Sequence, residues 1–329
     1  LFLLAALTAN ASFAAATEPP LPLVGARAAV MVDADSGDVI FSLNPDERLP
    51  MASTTKMMTA LVIIEGGHDL DAPVTVSQRA TEVGESSVWL QAGETLTMRE
   101  MLTGMLVQSG NDAATALAEF DAGSVEAFVE KMNARAVELG LSNTHFVNPH
   151  GLDDPEHYAS AADFARLGVE VMKYEELREI VRTSEATIPW PGQPYGRTLF
   201  NHNHLLDVYP FVNGIKTGYT DAAGQCIVVS ASERGINLIV AYLGGGSTAQ
   251  RNQEVIDLLG YGFASYAETA VITAGREYAS IEVPYDDGRR LSLVADRDIV
   301  RQLYFSDQVD YRLVLPEEPR LPVDAGDPV

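Results

Sequence analysis

Three short strings of residues, far apart in the chain, constrain its fold more than any other feature. They are Ser53-Thr54-Thr55-Lys56, Ser109-Gly110-Asn111 and Lys216-Thr217-Gly218. Ser-x-x-Lys and Lys-Thr-Gly each occur once, whereas Ser-x-Asn also occurs at Ser42-Leu43-Asn44, so the information lies in the set and its order. We interpret the strings as three walls of one cleft, which a fold can build only by bringing distant segments together.

The first string supplies a nucleophile and a base. A hydroxyl is a weak nucleophile until a base takes its proton, and side chains three residues apart on a helix lie about 5–6 Å apart at Cβ. Ser53 and Lys56 therefore meet if a helix begins at Ser53. The residues from Met57 to Ile64 are nearly all apolar, which predicts a buried helix. This argues against the alternative in which Ser53 only caps the helix and Lys56 lies on the surface.

Lys56 is predicted to be shifted toward its neutral form. A lysine in the first turn faces the positive end of the helix dipole. Burial and a second cation at Lys216 also disfavour its charge. A neutral amine can act as the base for Ser53.

The second string offers a proton relay. The Ser109 hydroxyl can both donate and accept a hydrogen bond, as a proton shuttle to a departing amine requires. Asn111 can hold a substrate carbonyl and contact Lys56. Taken alone this string would rather indicate loop capping, because Asn is a good N-cap residue.

The third string is typical of a strand that binds a carboxylate. Lys216 and Thr217 supply a cation and a hydroxyl, which fit a free C-terminal carboxylate better than a neutral internal peptide. Gly218 lets another backbone come close. The alternative is an ordinary exposed edge strand. The backbone N–H groups of Ser53 and Tyr219 are the candidates for an oxyanion hole.

The charge of the chain excludes several classes of partner. Its 329 residues carry a net charge of −24 at pH 7, which argues against nucleic acid, since phosphate would be repelled, and against an anionic lipid surface. The one cysteine, Cys226, lies in an apolar run and is interpreted as a core residue. Nothing completes a ligand set around His202 and His204, so we predict no metal site and no cofactor.

The order of predicted elements indicates an α+β fold with a mainly antiparallel sheet flanked by helices. The expected catalytic domain spans residues 24–267. Its predicted elements are a hairpin at 28–32 and 39–42, strands at 226–232 and 236–243, and helices at 53–65, 98–108, 112–120, 125–139, 160–172 and 250–267. Residues 268–329 predict a small, incomplete β-rich domain, with strands at 278–283, 290–295, 299–305 and 311–315 and a turn at 286–288.

Residues 1–16 resemble the end of a secretory signal, with an apolar stretch followed by small residues typical of a cleavage site. We therefore expect an exported, periplasmic protein. No later stretch of about 18 residues is apolar enough to predict a membrane span. The missing initiator Met and the unfinished β-rich domain lead us to expect a chain truncated at both ends.

The three strings together resemble those of penicillin-binding proteins and class A β-lactamases. The wider sequence is similar to the low-molecular-mass penicillin-binding proteins, specifically the serine-type D-alanyl-D-alanine carboxypeptidases of the family that includes penicillin-binding proteins 5 and 6. The resemblance covers residues 24–267 strongly and the β-rich tail weakly. The blocks that contain it are 29–37, 50–59, 108–113, 143–152 and 214–220.

This resemblance implies a transpeptidase-like fold and removal of the terminal D-alanine from peptidoglycan stem pentapeptides. It implies that Ser53 is acylated by the substrate and by β-lactam antibiotics, with Lys56 as the base. It implies that Ser109 and Asn111 serve proton transfer and substrate placement. It also implies that Lys216 and Thr217 bind the substrate carboxylate. Some members have a basic residue upstream of the third string, and it has no clear counterpart at 201–206. His202 or His204 could take its place. The alternative is that these histidines are solvated or capping residues.

The membrane is expected as a partner only through a C-terminal amphipathic anchor, which members of the family often have and which this fragment lacks. With such an anchor the full-length protein would be peripheral on the cytoplasmic membrane.

Three other activities remain open at this point. A class A β-lactamase usually has Ser-Asp-Asn in the second string and needs a glutamate-activated water, for which we find no convincing residue. A D,D-endopeptidase that cuts cross-links would favour a substrate without a free carboxylate. A penicillin sensor would be acylated but turn over poorly.

Overall fold

The computed structural model describes residues 18–282 and 290–309, which fall into two compact units, one from Leu21 to Phe263 and one that begins at Ala264. The strands of the first unit are β1 (Ala28–Asp33), β2 (Val39–Leu43), β3 (Pro73–Thr75), β4 (Thr95–Thr97), β5 (Glu185–Ile188), β6 (Arg197–Phe200), β7 (Val212–Thr220), β8 (Gly224–Glu233) and β9 (Ile236–Gly245). Its helices are α1 (Lys56–Glu65), α2 (Gln78–Thr81), α3 (Met98–Leu106), α4 (Asn111–Ala122), α5 (Val125–Glu138), α6 (Ala161–Val171), α7 (Glu175–Val181), α8 (Leu205–Val208) and α9 (Thr248–Ala264).

The first unit is built on an antiparallel sheet with the strand order β2-β1-β9-β8-β7. Helices cover both of its faces. Ile239 of β9 packs beside Gly168 of α6, whereas the adjacent Leu238 packs beside Gly262 of α9, because successive strand residues point to opposite faces. The predicted α+β fold, with a mainly antiparallel sheet flanked by helices, is confirmed.

The burial of β8 explains the apolar run from Cys226 to Val229. Residues 226–231 are all buried, since a strand covered on both faces has no solvent-facing side. Cys226 is a free, buried thiol, and burial raises its pKa to about 11. Its interpretation as a core residue is confirmed.

The structure departs from the predicted elements in several places, which include the short helices α2, α7 and α8 that were not predicted. The first predicted helix starts as a 3₁₀ helix, Ala52–Thr55, and becomes α-helical only at Lys56. The helix predicted at 250–267 ends at Ala264, and a strand begins at Tyr266, where β-forming residues such as Tyr266 and Thr269 override the helical pattern. The hairpins β3–β4 and β5–β6 have strands of three or four residues, too short for a periodicity to be read.

Two antiparallel strand pairs occur in the described part of the second unit, residues 264–282 and 290–309. Strand β10 (Tyr266–Ile272) pairs with β13 (Ile299–Tyr304), and β11 (Glu277–Glu282) pairs with β12 (Arg290–Val294). The signal-like residues 1–16, the turn at 286–288 and the strand at 311–315 lie outside the described residues. Within residues 18–282 and 290–309, no helix has the length and apolar character needed to cross a membrane.

Candidate active site

The three sequence strings meet at one cleft of about 580 Å³ in the first unit. Residues of every string line it, namely Ser53, Ser109, Asn111, Thr217, Gly218 and Tyr219. Lys56 and Lys216 are buried. Lys56 contacts Ser53, and Lys216 lies near enough for its charge to act on Lys56. The structure therefore brings together every site residue predicted from the sequence.

The side-chain nitrogen of Lys56 has three oxygen neighbours. Its Nζ lies 2.8 Å from Ser53 Oγ, 2.6 Å from Asn111 Oδ1 and 2.7 Å from the carbonyl oxygen of His150. The buried Asn111 amide and the His150 backbone carbonyl hold the nitrogen in place. Its remaining contact is with the Ser53 hydroxyl.

Burial lowers the pKa of Lys56 well below its ordinary value, and the Lys216 ammonium lowers it further, while the Asp112 carboxylate opposes both effects. These are two of the three causes expected from the sequence. The third expected cause is the helix dipole. Because α1 begins at Lys56, this residue lies at the positive end of the dipole, which also disfavours its charged form.

The backbone that presents Ser53 is held in a conformation unusual for its residues. Ala52 has a φ of 49°, a left-handed value that L-residues adopt at a cost. A Cβ at Gly151 would overlap the Ala52 carbonyl, and a Cβ at Gly218 would lie 2.9 Å from Ser53 N. The close backbone approach predicted for Gly218 is confirmed, and the partner is the nucleophile's own turn.

Asn111 is fixed at both ends of its amide. Its Nδ2 donates to the Gly84 carbonyl at 2.9 Å while its Oδ1 accepts from Lys56, and its backbone N–H donates to the Ser86 carbonyl at 2.8 Å. One Nδ2 hydrogen remains for a ligand. Ser109 sits at the predicted break between helices α3 and α4 with a φ of 67°, and its hydroxyl makes no hydrogen bond within the described part of the chain.

Buried Asp112 fixes the loop at 86–90, whose Ser86 side chain lines the cleft beside Glu85. It accepts from the Ser87 hydroxyl at 2.6 Å and from the backbone N–H groups of Val88 and Leu90 at 3.1 Å. The carboxylate next to Asn111 in sequence therefore shapes one wall of the site.

The third string lies on β7, at the edge of the sheet. Burial, and then the charge of Arg251, lower the pKa of Lys216 to about 7. Its Nζ donates to the Thr217 carbonyl at 3.1 Å. The Tyr219 side chain is exposed and its hydroxyl donates to Asp221 at 2.9 Å, so only the backbone of this residue is available for the predicted oxyanion role.

Sequence reasoning missed Arg251 of α9, a cation that lines the cleft although it is only 3% exposed. Its Nη1 donates to Gln225 Oε1 at 3.1 Å, and within residues 18–282 and 290–309 no carboxylate pairs with it. Burial lowers the pKa of Arg251 to about 10, which leaves it charged at neutral pH. The sequence did hold a signal for Arg251. It lies four positions before Val255, on the apolar face of the predicted helix, where a charged residue is unusual.

Three histidines near the site, His150, His157 and His202, are neutral at pH 7, because burial lowers the pKa of each. His157 is buried, and its pKa is lowered to about 4 by burial. Its Nδ1 accepts from the Val147 N–H at 3.0 Å, so its Nε2 carries the proton and donates to Thr55 Oγ1 at 2.8 Å. The pKa of His202, at the cleft, is lowered by burial and by Lys216, so His202 does not replace a missing cation. Among the residues that the structure describes, no group of acidic, histidine or cysteine side chains could hold a metal.

Comparison with known proteins decides the family. Residues 14–247 match the family model described as D-alanyl-D-alanine carboxypeptidase, peptidase S11. The chain belongs to this family. The resemblance drawn from the three strings is confirmed, and the family consists of serine hydrolases.

Two curated relatives of the chain carry different activity names. The chain is 37% identical over 278 residues to D-alanyl-D-alanine carboxypeptidase DacF of Bacillus subtilis, covering 83% of this chain and 71% of that protein. It is 34% identical over 241 residues to a protein of Pseudomonas aeruginosa named D-alanyl-D-alanine endopeptidase, covering 70% of this chain and 77% of that one.

A solved structure of the family shares the fold. The D-alanyl-D-alanine carboxypeptidase DacD of Francisella tularensis superposes with a TM-score of 0.73 at 29% identity, covering 89% of this chain and 84% of that one.

Proposed function

We propose that this protein hydrolyses the terminal D-Ala-D-Ala bond of peptidoglycan stem peptides through an acyl-enzyme on Ser53, and that β-lactams acylate the same residue. The observation that supports this most is the 2.8 Å contact between Lys56 Nζ and Ser53 Oγ. The other two oxygen neighbours of the nitrogen are already fixed, so the serine hydroxyl is its one reactive neighbour.

Acylation follows from the neutral form of Lys56. A neutral amine has two hydrogens, which donate to Asn111 Oδ1 and the His150 carbonyl, and one lone pair, which accepts the Ser53 proton. The freed oxygen attacks the carbonyl carbon of the scissile bond, and a C–O bond forms. The C–N bond then breaks, and the departing D-alanine amine receives the proton through the Ser109 hydroxyl.

The oxyanion is assigned to backbone donors. The Ser53 N–H makes no hydrogen bond among the described residues, and Gly218 brings the β7 backbone against it. We assign the second N–H to Tyr219, the next residue along β7. In the second half of the reaction Lys56 takes a proton from water, which attacks the ester and restores the Ser53 hydroxyl.

The substrate carboxylate is assigned to the cationic side of the cleft. Arg251 is a buried cation, and Lys216, whose pKa is lowered to about 7, is a buried amine that a bound carboxylate would hold in its charged form. Neither has a carboxylate partner in the described chain, and Thr217 also lines the cavity. A buried charge is costly until it is paired, so these groups favour a ligand with a free carboxylate. This favours a carboxypeptidase over an endopeptidase.

The decisive assay compares two peptides that end in D-Ala-D-Ala, one with a free carboxylate and one with a C-terminal amide. We expect release of D-alanine from the first and little reaction of the second. Equal cleavage of both, or faster cleavage of a cross-linked dimer, would favour the endopeptidase. Stoichiometric acylation without turnover would favour the sensor, and rapid penicillin hydrolysis the β-lactamase. The periplasmic location remains a proposal that follows from where such substrates lie.

A further inference from the structure

Three aromatic side chains lie in two segments that meet at buried Arg197, outside the cleft lining, and the proposed chemistry does not use them. We call Trp89, Trp190 and Tyr195 the aromatic platform. Trp89 is 54% exposed and Tyr195 is 61% exposed. The rings of Trp190 and Tyr195 meet edge to face with centroids 5.9 Å apart. The guanidinium carbon of Arg197 lies 5.0 Å from the Trp190 ring centroid, and its Nη2 donates to the Trp89 carbonyl at 3.3 Å.

The platform rests on a rigid base. Arg197 is fully buried and forms a two-point ion pair with Glu94, with N–O distances of 2.6 and 2.7 Å. Trp89 has a φ of 58°, a left-handed conformation that is costly for a bulky residue. Its neighbours Val88 and Leu90 are buried and donate their N–H groups to Asp112. The fold therefore stabilises a strained backbone that leaves an indole in solvent, and a pre-ordered ring loses little entropy on binding.

The platform is linked to the cleft through the loop that carries Trp89. Ser86 lines the cleft, and its carbonyl accepts from the Asn111 N–H. Trp89 follows three residues later, so its Cα lies at most about 11 Å from that of Ser86. An extended pentapeptide spans up to about 18 Å. A stem peptide held by its carboxylate in the cleft can therefore extend past Ser86 toward Trp89, with its attached sugar at the far end.

We propose that the aromatic platform binds the pyranose rings of the glycan strand that carries the stem peptide. The proposal rests on the proposed function. The flat C–H faces of pyranose rings stack on aromatic rings, and their hydroxyls can form hydrogen bonds with the Tyr195 hydroxyl and accept from the Trp89 indole N–H, whereas the Trp190 Nε1 is buried. An anionic lipid surface is a poorer partner, because a chain with a net charge of −24 repels it. The enzyme then prefers stem peptides attached to glycan over free peptides.

Binding can be measured without turnover, because the chain has two tryptophans and both belong to the platform. The probe is peptide-free glycan, obtained by removing the stem peptides from peptidoglycan and cutting the strands to soluble length. We expect a saturable change in tryptophan emission in the Ser53→Ala protein, and weaker binding in Ser53→Ala/Tyr195→Ser. Unchanged emission at millimolar glycan would overturn the proposal, as would a larger change with sugar-free stem peptide than with glycan.

Kinetics supply the second readout. In Trp89→Asn, chosen because Asn tolerates the left-handed backbone, and in Tyr195→Ser, we expect KM for glycan-attached pentapeptide to rise about three- to tenfold, the value of one stacked ring. Release of D-alanine from free pentapeptide should be unchanged. The matched control is Val137→Ser, which removes an exposed apolar side chain from α5.

The two readouts separate this proposal from the proposed function. Equal losses on both substrates in the platform variants would show that the rings only support the cleft, and would overturn the glycan assignment. A wild-type protein that binds glycan but releases no D-alanine from free pentapeptide would contradict the proposed function instead.

Discussion

Lys56 Nζ lies 2.8 Å from Ser53 Oγ, and both partners are held in place by groups that cannot easily move. Ser53 sits on a 3₁₀ turn against which the backbones of Gly151 and Gly218 pack. Lys56 is held by Asn111 and by the His150 carbonyl. A nucleophile and base aligned before the substrate arrives avoid the entropy cost of being brought together during the reaction.

Replacing the base should stop acylation. We expect Lys56→Ala to lower the rate of acylation by a fluorescent penicillin about 10²–10⁴-fold, the usual contribution of a general base. Lys56→Arg should be as slow, because a guanidinium does not lose its proton. Exposed Lys131→Ala is the control and should react at the normal rate. Normal acylation of either Lys56 variant would remove this residue from the mechanism.

The pH dependence of acylation should report on Lys56. Burial and the Lys216 charge lower its pKa, so the reactive neutral form appears, and the rate rises, at a lower pH than for an ordinary lysine. Lys216→Met removes a neighbouring positive charge, which raises the pKa of Lys56 and should move the rising limb to higher pH. Stopped-flow acylation across pH 5–10 measures the rising limb in the wild type and in the variant. A shift to lower pH in the variant would contradict the electrostatic argument.

The contact between Gly218 and the nucleophile's turn should be intolerant of a methyl group. A Cβ at this position lies 2.9 Å from Ser53 N and 3.0 Å from Ala52 Cβ, so the turn or the strand must shift by tenths of an ångström. We expect Gly218→Ala to lower kcat/KM by about 10- to 100-fold with a small change in Tm. Gly260→Ala, on α9 where nothing lies within 4 Å, is the control. Full activity in Gly218→Ala would mean that this spacing is not critical.

Arg251 should matter for the substrate carboxylate. A hydrogen bond to a charged group contributes about 1.5–3 kcal/mol, so Arg251→Gln should raise KM for the free-carboxylate peptide roughly 10- to 150-fold. The C-terminal amide peptide should be much less affected. If both peptides lost activity equally, Arg251 would have a structural role through Gln225 and not a binding role.

The sequence predicted the reacting groups because their chemistry is local. Ser53 and Lys56 are one turn apart, and an apolar run after Lys56 indicates burial without any tertiary knowledge. The 3₁₀ geometry was not predictable, because it depends on Gly151, nearly 100 residues away. It preserves the contact, since residues three apart also share a face in a 3₁₀ helix.

Other features depend on distant contacts and left weaker signals. Arg251 reads as one polar residue of an amphipathic helix until α9 is placed beside the cleft. Asp112 reads as a helix-start residue, although its carboxylate holds a loop more than 20 residues earlier. The platform rings come from two segments that buried Arg197 brings together. The domain boundaries drawn from the sequence remain predictions.

The most direct test of the acyl-enzyme is mass spectrometry of the protein after brief exposure to a penicillin. The account predicts one penicillin mass per chain, located by proteolysis on the hydroxyl of Ser53, and no adduct on Ser53→Ala with unchanged Tm. An adduct on another residue, or an adduct that persists in Ser53→Ala, would contradict it.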